Sequence, residues 1–384
     1  MTLCVLADEN IPAVEDLLGP GFDVLTASGR EISREQLQGV DALLVRSVTR
    51  VDASLLQGTA VRFVGTATSG TDHIDTDWLQ RSGVDFAFAP GSNANSVVEY
   101  VIAAIAYSGN HLERLRAGGS LGVVGYGVIG AAIVARFSAL GVAAKVYDPW
   151  LPEDSVPGYA ELEEVLACDV ISLHPELTNQ SPWPSYHLLG KDTLALLCKG
   201  QLLINVSRGP VIDNSALLER LNSLDSPTVV LDVWEDEPRI SPELLSRVHI
   251  GTAHIAGYSF DGKVKATRML CTAMANSLNF DLPATKTPES SVQEPVILPS
   301  GLSFEDGLRT LIRNCYQIER DDKLLRAATL DQGPDAQAAQ FDLLRKNYAR
   351  RAELRGQRVL VQNANTAELE LVSALGCVPV QSEG

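Results

Sequence analysis

The stretch Leu121-Gly122-Val123-Val124-Gly125-Tyr126-Gly127-Val128-Ile129-Gly130 most restricts what this chain can fold into. Its apolar start reads as a buried strand. Gly125, Gly127 and Gly130 then fit G-x-G-x-x-G, and Ala131 to Leu140 continues as a helix. In that setting Gly125 permits a tight strand-to-helix turn and Gly127 lets a diphosphate approach the backbone. Gly130 lets helix and strand pack closely, and the first N–H groups of the helix face the anion. Glycines also punctuate ordinary turns, so the surroundings must agree. They do: Val142 to Tyr147 forms a second apolar run that ends in Asp148. That lies near the ~20-residue spacing of the carboxylate that takes the ribose hydroxyls. With no Arg beside it, Asp148 favours NAD over NADP, because a carboxylate repels a 2′-phosphate.

A complete α/β pattern precedes this fingerprint. Strands are expected at Leu3–Ala7, Phe22–Thr26, Ala42–Arg46, Arg62–Thr66 and Val84–Ala87, with helix-like pieces at Ile11–Leu18, Arg34–Gln38, Ala53–Gln57 and Asp77–Ser82. Apolar strands alternating with helices imply a parallel sheet covered on both faces. A long helix is expected over Asn93–Gly109. After the fingerprint come further strands at Val170–Leu173, Leu202–Val206, Thr228–Leu231 and Val248–Gly251, then a closing helix over Ser259–Phe280. Four prolines in 281–300 give a linker composition, and the remainder reads as a small separate unit with helices at Leu302–Tyr316 and Phe341–Tyr348 and a strand at Arg358–Gln362.

Composition limits the partners. A formal net charge of −17 argues against binding nucleic acid or a membrane surface, and requires local positive charge for any anionic ligand. The block 341–360, where Arg345, Lys346, Arg350, Arg351, Arg355 and Arg358 stand against only Asp342 and Glu353, reads by default as a solvated helix face, with a phosphate-facing or oligomer-facing patch as the alternative. The scattered cysteines, with no C-x-x-C, read as reduced thiols of a cytoplasmic protein, and the strand-like Leu3-Cys4-Val5-Leu6 start suggests no signal peptide. No His cluster has metal-ligand spacing, so no metal is expected.

Ligand sites of parallel sheets lie beyond the carboxyl ends of strands. Arg208, Glu237 and His254 all follow such ends. Singly, each has a bland reading as a cap, a loop charge or a strand-end histidine. Together they suit oxidation of a 2-hydroxy acid. His254 would take the hydroxyl proton, Glu237 would orient the imidazole, and Arg208 would clamp the carboxylate. Arg46-Ser47-Val48-Thr49 and Thr66 to His73 are polar strand ends in the first unit. Arg46 is the first choice there for an anion, with Ser47 and Thr68.

The segments Gly125–Gly130, Asn205-Val206-Ser207-Arg208-Gly209, Asp232-Val233-Trp234-Glu235-Asp236-Glu237-Pro238 and Ala253-His254-Ile255-Ala256-Gly257 resemble the motifs of the D-isomer-specific 2-hydroxyacid dehydrogenases. The resemblance implies two Rossmann-like or flavodoxin-like parallel-sheet domains, with the NAD domain inserted in the substrate domain, plus a small α+β C-terminal dimerisation domain. The expected boundaries are 1–94 with 256–283 for the substrate domain, 95–255 for the NAD domain, 284–300 for the linker and 301–384 for the dimerisation domain. It implies Arg208, Glu237 and His254 as the catalytic set, and NAD contacts at Gly125, Gly127, Val128, Ile129, Gly130, Asp148, Val206, Ser207, Arg208, Asp232 and Gly257. Ser47, Thr68 and Tyr258 become substrate contacts. Motifs at both ends of the chain narrow the likeness to family members that take a phosphorylated 2-hydroxy acid and work as cytoplasmic homodimers. Another D-2-hydroxy acid such as 3-phosphoglycerate, or an NAD(H)-sensing binding protein on the same scaffold, remains open. The family usually reads His-Thr-Pro-Leu after the strand near residue 173. Here His174-Pro175-Glu176-Leu177 stands instead, and Pro175 offers neither hydroxyl nor N–H.

Overall fold

A computed structural model describes residues 2–283, 294–330, 332–361 and 366–381. The chain divides into two compact units, residues 1–93 with 259–292, and residues 94–258 with 293–384. The 284–293 part of the expected linker, and Gln362, lie outside the described residues.

The first unit holds a sheet of β1 (Leu3–Asp8), β2 (Phe22–Ala27), β3 (Ala42–Val45), β4 (Phe63–Thr66) and β5 (Asp85–Phe88), all parallel, in the order β2-β1-β3-β4-β5. Strands β3 and β4 are wholly buried, as their apolar sequences require of a sheet covered on both faces. One face is covered by the closing helix Phe260–Leu278, whose Leu270, Cys271 and Met274 join the core of Val5, Leu44 and Phe63. Ser259 caps this helix by accepting from the Gly262 N–H at 3.0 Å. The expected Arg34–Gln38 helix is only a 3₁₀ turn, Glu35–Leu37, because a single buried Leu37 gives too short an apolar stripe to hold more.

The second unit contains a six-stranded parallel sheet: β6 (Leu121–Val124), β7 (Ala144–Tyr147), β8 (Val170–Leu173), β9 (Leu202–Asn205), β10 (Thr228–Leu231) and β11 (Ile250–Gly251), in the order β11-β10-β9-β8-β6-β7. The order reverses at β6, whose neighbours are β7 and β8. The crevice beside the end of β6 is therefore the expected ligand position of such a sheet, and the glycine fingerprint starts there. Helix Ala94–Tyr107 is buried almost all round and packs against Val128–Ala139 and Phe304–Cys315. The C-terminal residues add a parallel sheet of β12 (Val296–Leu298), β13 (Arg358–Val361) and β14 (Val378–Gln381), with helices Phe304–Cys315, Ile318–Thr329, Pro334–Lys346 and Thr366–Ala374. Part of the stretch expected as linker is thus strand, since Val296-Ile297-Leu298 is β-favouring and finds a partner in β13.

The C-terminal residues share one core with the NAD-side sheet. Val98, Ile102 and Leu121 pack in the same cluster as Leu308, Ile312, Tyr316 and Val359. A buried ion pair crosses that core. Arg351 Nη1 donates to Glu99 Oε2 at 2.8 Å, with the two side chains only 6% and 1% exposed. The Leu354 N–H donates to Glu99 Oε1 at 2.7 Å, and the Arg351 guanidinium lies 4.3 Å from the Tyr316 ring centroid. A buried charge left without its partner is costly, so Arg351→Ala should lower stability by about 3–5 kcal/mol. Chemical denaturation should show the Glu99→Ala/Arg351→Ala double variant losing clearly less than the sum of the two single losses. Additive losses would mean that the pair contributes no coupling.

Candidate active site

The nucleotide crevice is built by close backbone approach. Gly125 has φ +89°, and a Cβ there would lie 2.7 Å from the His174 carbonyl carbon and from Pro175 N. A Cβ on Gly130 would lie 1.9 Å from the Gly125 oxygen. Around Gly127, by contrast, a Cβ would meet nothing within 4 Å, which leaves that side of the turn open. Helix Val128–Ala139 begins there with no side-chain cap, and Val128 is exposed. The Asp148 carboxylate accepts from the Tyr126 N–H at 2.8 Å and the Trp150 N–H at 3.1 Å, which fixes it beside the turn. An open turn, uncapped helical N–H groups and a fixed carboxylate fit a dinucleotide. Pro175 packs directly over Gly125, so the departure from the family motif sits at the mouth of this turn. Burial pushes the neighbouring His174 imidazole down to about 3, and its Nε2 lies 2.8 Å from Ser172 Oγ.

The three strand-end residues sit on loops tied to one another. Asn205, the last residue of β9, shapes the Val206–Arg208 turn. Its Oδ1 accepts from the Ser207 N–H at 3.1 Å and hydroxyl at 2.8 Å, and its Nδ2 donates to the Arg208 carbonyl at 3.0 Å. Arg208 Nη1 donates to the Ser207 carbonyl at 2.9 Å. The turn then passes hard against the loop after β10, since a Cβ on Gly209 would lie 1.9 Å from the Trp234 oxygen. In that loop the Trp234 N–H donates to Glu237 Oε1 at 2.8 Å, which leaves Oε2 to face His254 Nδ1 at 2.8 Å. The Trp234 indole donates to the Thr252 carbonyl at 2.9 Å, so one residue holds both halves of the His–Glu pair.

His254 has φ +53°, an unusual conformation for a non-glycine residue. Asp232 holds it there. Its Oδ1 accepts from the Thr252 hydroxyl at 2.6 Å and the Ile255 N–H at 2.7 Å, its Oδ2 accepts from the Ala256 N–H at 2.9 Å, and its backbone carbonyl accepts from the His254 N–H at 2.7 Å. Burial pushes the Asp232 carboxyl above its ordinary range, opposed by the His254 charge and these donors. Glu237 behaves oppositely. Burial alone would raise it, but the charge and hydrogen bond of His254, the nearby Arg345 and the Trp234 N–H hold it below the ordinary range. The pair is therefore built around an ionised Glu237.

Tyr258, next along the loop, meets C-terminal residues. Its ring stands edge-on to Tyr348, with centroids 5.9 Å apart, and its carbonyl accepts from Arg351 Nε at 3.0 Å. Gly257 lies partly buried between Ala256 and Tyr258. In the first unit, Arg46 Nε lies 3.0 Å from the buried Asp8 carboxylate, Ser47 is exposed, and Thr68 Oγ1 lies 2.8 Å from Thr66 Oγ1 and donates to the Gly70 carbonyl at 2.7 Å. His187, Asp213 and Glu235 place ligand atoms within 4.8 Å of one another, yet they are already engaged. His187 Nε2 is 2.7 Å from Glu235 Oε1, and Asp213 caps helix Asn214–Leu221. Sequence reasoning gave no role to Trp234, Thr252 or Asn205, which set the loops.

Curated relatives match almost end to end. The erythronate-4-phosphate dehydrogenase of Marinobacter nauticus is 40% identical over 97% of this chain and 99% of its own length. That of Stutzerimonas stutzeri is 43% identical over 97% and 98%. The chain belongs to the erythronate-4-phosphate dehydrogenase family. Residues 104–256 match the NAD binding domain of the D-isomer specific 2-hydroxyacid dehydrogenases, and residues 290–376 match a domain of unknown function. Among solved structures, D-lactate dehydrogenase from Aquifex aeolicus, complexed with NAD and lactic acid, superposes with TM-score 0.60 at 23% identity, over 72% of this chain and 95% of the other. NAD+-bound 3-phosphoglycerate dehydrogenase from Entamoeba histolytica does so with TM-score 0.61 at 21% identity, over 73% and 96%. At those identities the likeness is one of fold, and the fold is the doubly wound pair of parallel-sheet domains expected above.

The close approach at Gly209 gives a direct test within this family member. Gly209→Ala sets a Cβ against the backbone of Trp234, which cannot swing aside as a side chain would, and so displaces the Arg208 turn from the Glu237 loop. Turnover should fall by about 100-fold or more, the order seen when a reacting group is misplaced by ~1 Å. NADH fluorescence titration should show cofactor still bound. Unchanged turnover would show that the two loops need not touch.

Proposed function

We propose that this protein oxidises 4-phospho-D-erythronate to 2-oxo-3-hydroxy-4-phosphobutanoate with NAD, in pyridoxal 5′-phosphate biosynthesis. The observation that carries the reading is the His254–Glu237 pair at 2.8 Å, held by Trp234 on the loop that abuts the Arg208 turn. Gly125, Gly127, Val128, Ile129 and Gly130 would hold the diphosphate, Asp148 the ribose hydroxyls, and Val206, Ser207, Arg208, Asp232 and Gly257 the remainder of the cofactor. Bound NAD supplies the acceptor for the hydride from C2.

The chain's own residues do the rest. Arg208 forks onto the substrate carboxylate and fixes C2. His254 takes the C2 hydroxyl proton on Nε2, because Nδ1 is committed to Glu237. The ionised Glu237 then stabilises the imidazolium and holds its ring plane. Ser47, Thr68 and Tyr258 would contact the substrate, with Arg46 as a further candidate whose charge is already partly met by Asp8. The protein acts in the cytoplasm, a reading supported by its six unpaired thiols. No helix among the described residues is long and apolar enough to cross a membrane.

His254→Asn should abolish turnover near neutral pH while NADH remains bound. Glu237→Gln should move the acidic limb of the pH–rate profile to lower pH, since the protonated ring loses its counter-charge. The decisive assay compares kcat/KM for 4-phospho-D-erythronate and 3-phosphoglycerate. Preference for the latter would overturn the substrate assignment, and NADH binding without turnover of either would favour a sensor.

The C-terminal residues would join two copies. Ile297, Leu324, Leu343 and Val378 are large apolar side chains exposed on this part of the chain. Light scattering should give twice the chain mass of 41.2 kDa, and charged substitutions at the exposed Leu324 and Leu343 should abolish the dimer while the chain stays folded. A monomeric full-length protein would contradict this assignment.

A further inference from the structure

A phosphorylated hydroxy acid carries two anionic ends, and Arg208 accounts for one. Arg46 also has a buried Nε without a hydrogen bond, but the wholly buried Asp8 carboxylate lies 3.0 Å away and already balances its charge, which makes it the weaker candidate for the second. The C-terminal helix Pro334–Lys346 offers another cation. Phe341, on its buried face, packs in the same cluster as Leu231, Trp234 and Ala253, the residues that frame the Glu237 and His254 loops. Residues four apart share a helix face, so this anchor sends Arg345 toward the same loops. There the Arg345 guanidinium lies 5.8 Å from the Tyr258 ring centroid. Its Nε is fully buried and, among the described residues, finds no hydrogen-bond acceptor. A buried donor left without a partner is expensive in a folded protein and calls for an acceptor. Burial opposes the Arg345 charge, and Tyr258 and Glu237, with a side-chain hydrogen bond to Tyr258 and the charge of Asp342, more than compensate for it, while Nε itself stays without an acceptor. Glu237 is itself engaged by Trp234 and His254, so the guanidinium is not consumed in a closed ion pair.

We propose that Arg345 binds the distal phosphate of the substrate, so that the C-terminal domain contributes a residue to the active site of the same chain. Tyr258, four residues after His254, is held between Arg345 and Tyr348. The segment that matches a domain of unknown function thereby acquires a role in substrate selection beside any role in assembly. The inference rests on the reading that the substrate is a phosphorylated 2-hydroxy acid.

The test uses the full-length protein with NAD and the variants Arg345→Gln and Arg345→Lys. Arg345→Gln should raise KM for 4-phospho-D-erythronate by about 10- to 100-fold, the loss expected for one hydrogen bond to a charged group. The KM of unphosphorylated D-erythronate, or its inhibition constant where turnover is slow, should change less than about 2-fold, as should the NADH dissociation constant. Arg345→Lys should recover part of the loss, since it keeps the charge without the planar fork. Equal losses for both acids, or a displaced pH profile with unchanged KM, would overturn the proposal and leave Arg345 acting through Tyr258 and Glu237. If the unmodified protein oxidises neither acid, the substrate reading has failed. Calorimetric titration of the NAD-loaded protein with inorganic phosphate then decides the Arg345 claim separately: binding lost in Arg345→Gln supports it, and binding retained at full strength overturns it.

Discussion

The shape of the loop that carries His254 depends on one buried carboxylate. Asp232 lies at the end of β10, almost without solvent exposure, and gathers four donors including its own backbone share. Three of them belong to Thr252, Ile255 and Ala256, the residues around His254. A carboxylate in such a place is costly unless every lone pair is used, so the cost of burying it is recovered only when the loop closes in this one shape. That shape holds His254 at a positive φ. The imidazole is aimed by a hydrogen-bond network rather than by its own backbone preference, which is how a strained conformation persists at a site.

Trp234 couples this network to Glu237. Its backbone N–H and indole N–H serve different loops, and the Gly209 turn rests on its carbonyl. A shift in any of the three loops therefore moves the others. Tyr100 extends the arrangement inward, with its hydroxyl 2.7 Å from Thr252 Oγ1 and its ring edge-on to Tyr316. Tyr316 lies against Arg351, which grips both Glu99 and the Tyr258 carbonyl. The C-terminal residues are thus continuous with the site through packed rings and charge-assisted bonds. They are more than an extension attached for assembly.

Much of this was legible in the sequence. The glycine fingerprint, the alternating apolar strands and Asp148 each carry a local rule: a positive φ, a two-faced buried strand, a carboxylate at a fixed interval. Such rules do not depend on tertiary context, and both parallel sheets followed from them. Arg208, Glu237 and His254 were singled out because strand ends are where parallel sheets keep their ligands, and the fold brings Glu237 and His254 to 2.8 Å. The supports were not legible. Trp234 and Thr252 act through contacts between residues far apart in the chain, and nothing in composition or period marks an indole N–H as a bond to another strand. Short elements also escaped. Thr366–Ala374 and β14 were not anticipated, since their apolar residues follow no strong period of their own, whereas Ile318–Thr329 carries a clear helical stripe that the sequence reading passed over. The basic block 341–360 was visible as charge, but only the packing of Phe341 separates Arg345, turned toward Tyr258, from its neighbour Lys346, which is exposed.

The charge balance explains why those cations must be local. With a net charge of −17, the protein's long-range field repels both a dinucleotide and a phosphorylated acid. Salt screens that repulsion beyond ~10 Å, so binding is decided by contacts at the site. There the chain offers the uncapped N–H groups of helix Val128–Ala139 and the guanidinium groups of Arg208 and Arg345. A guanidinium suits this task because it is weakly hydrated and planar, and so loses less on burial than an ammonium would. Placing Arg345 within the field of Glu237 lowers the cost of burying both before any ligand arrives. In the proposed mechanism the same carboxylate would serve the imidazolium when His254 takes its proton, so one anion would offset a permanent cation and a transient one. An arrangement of this kind would tie recognition of the far end of the substrate to the proposed proton transfer at its near end.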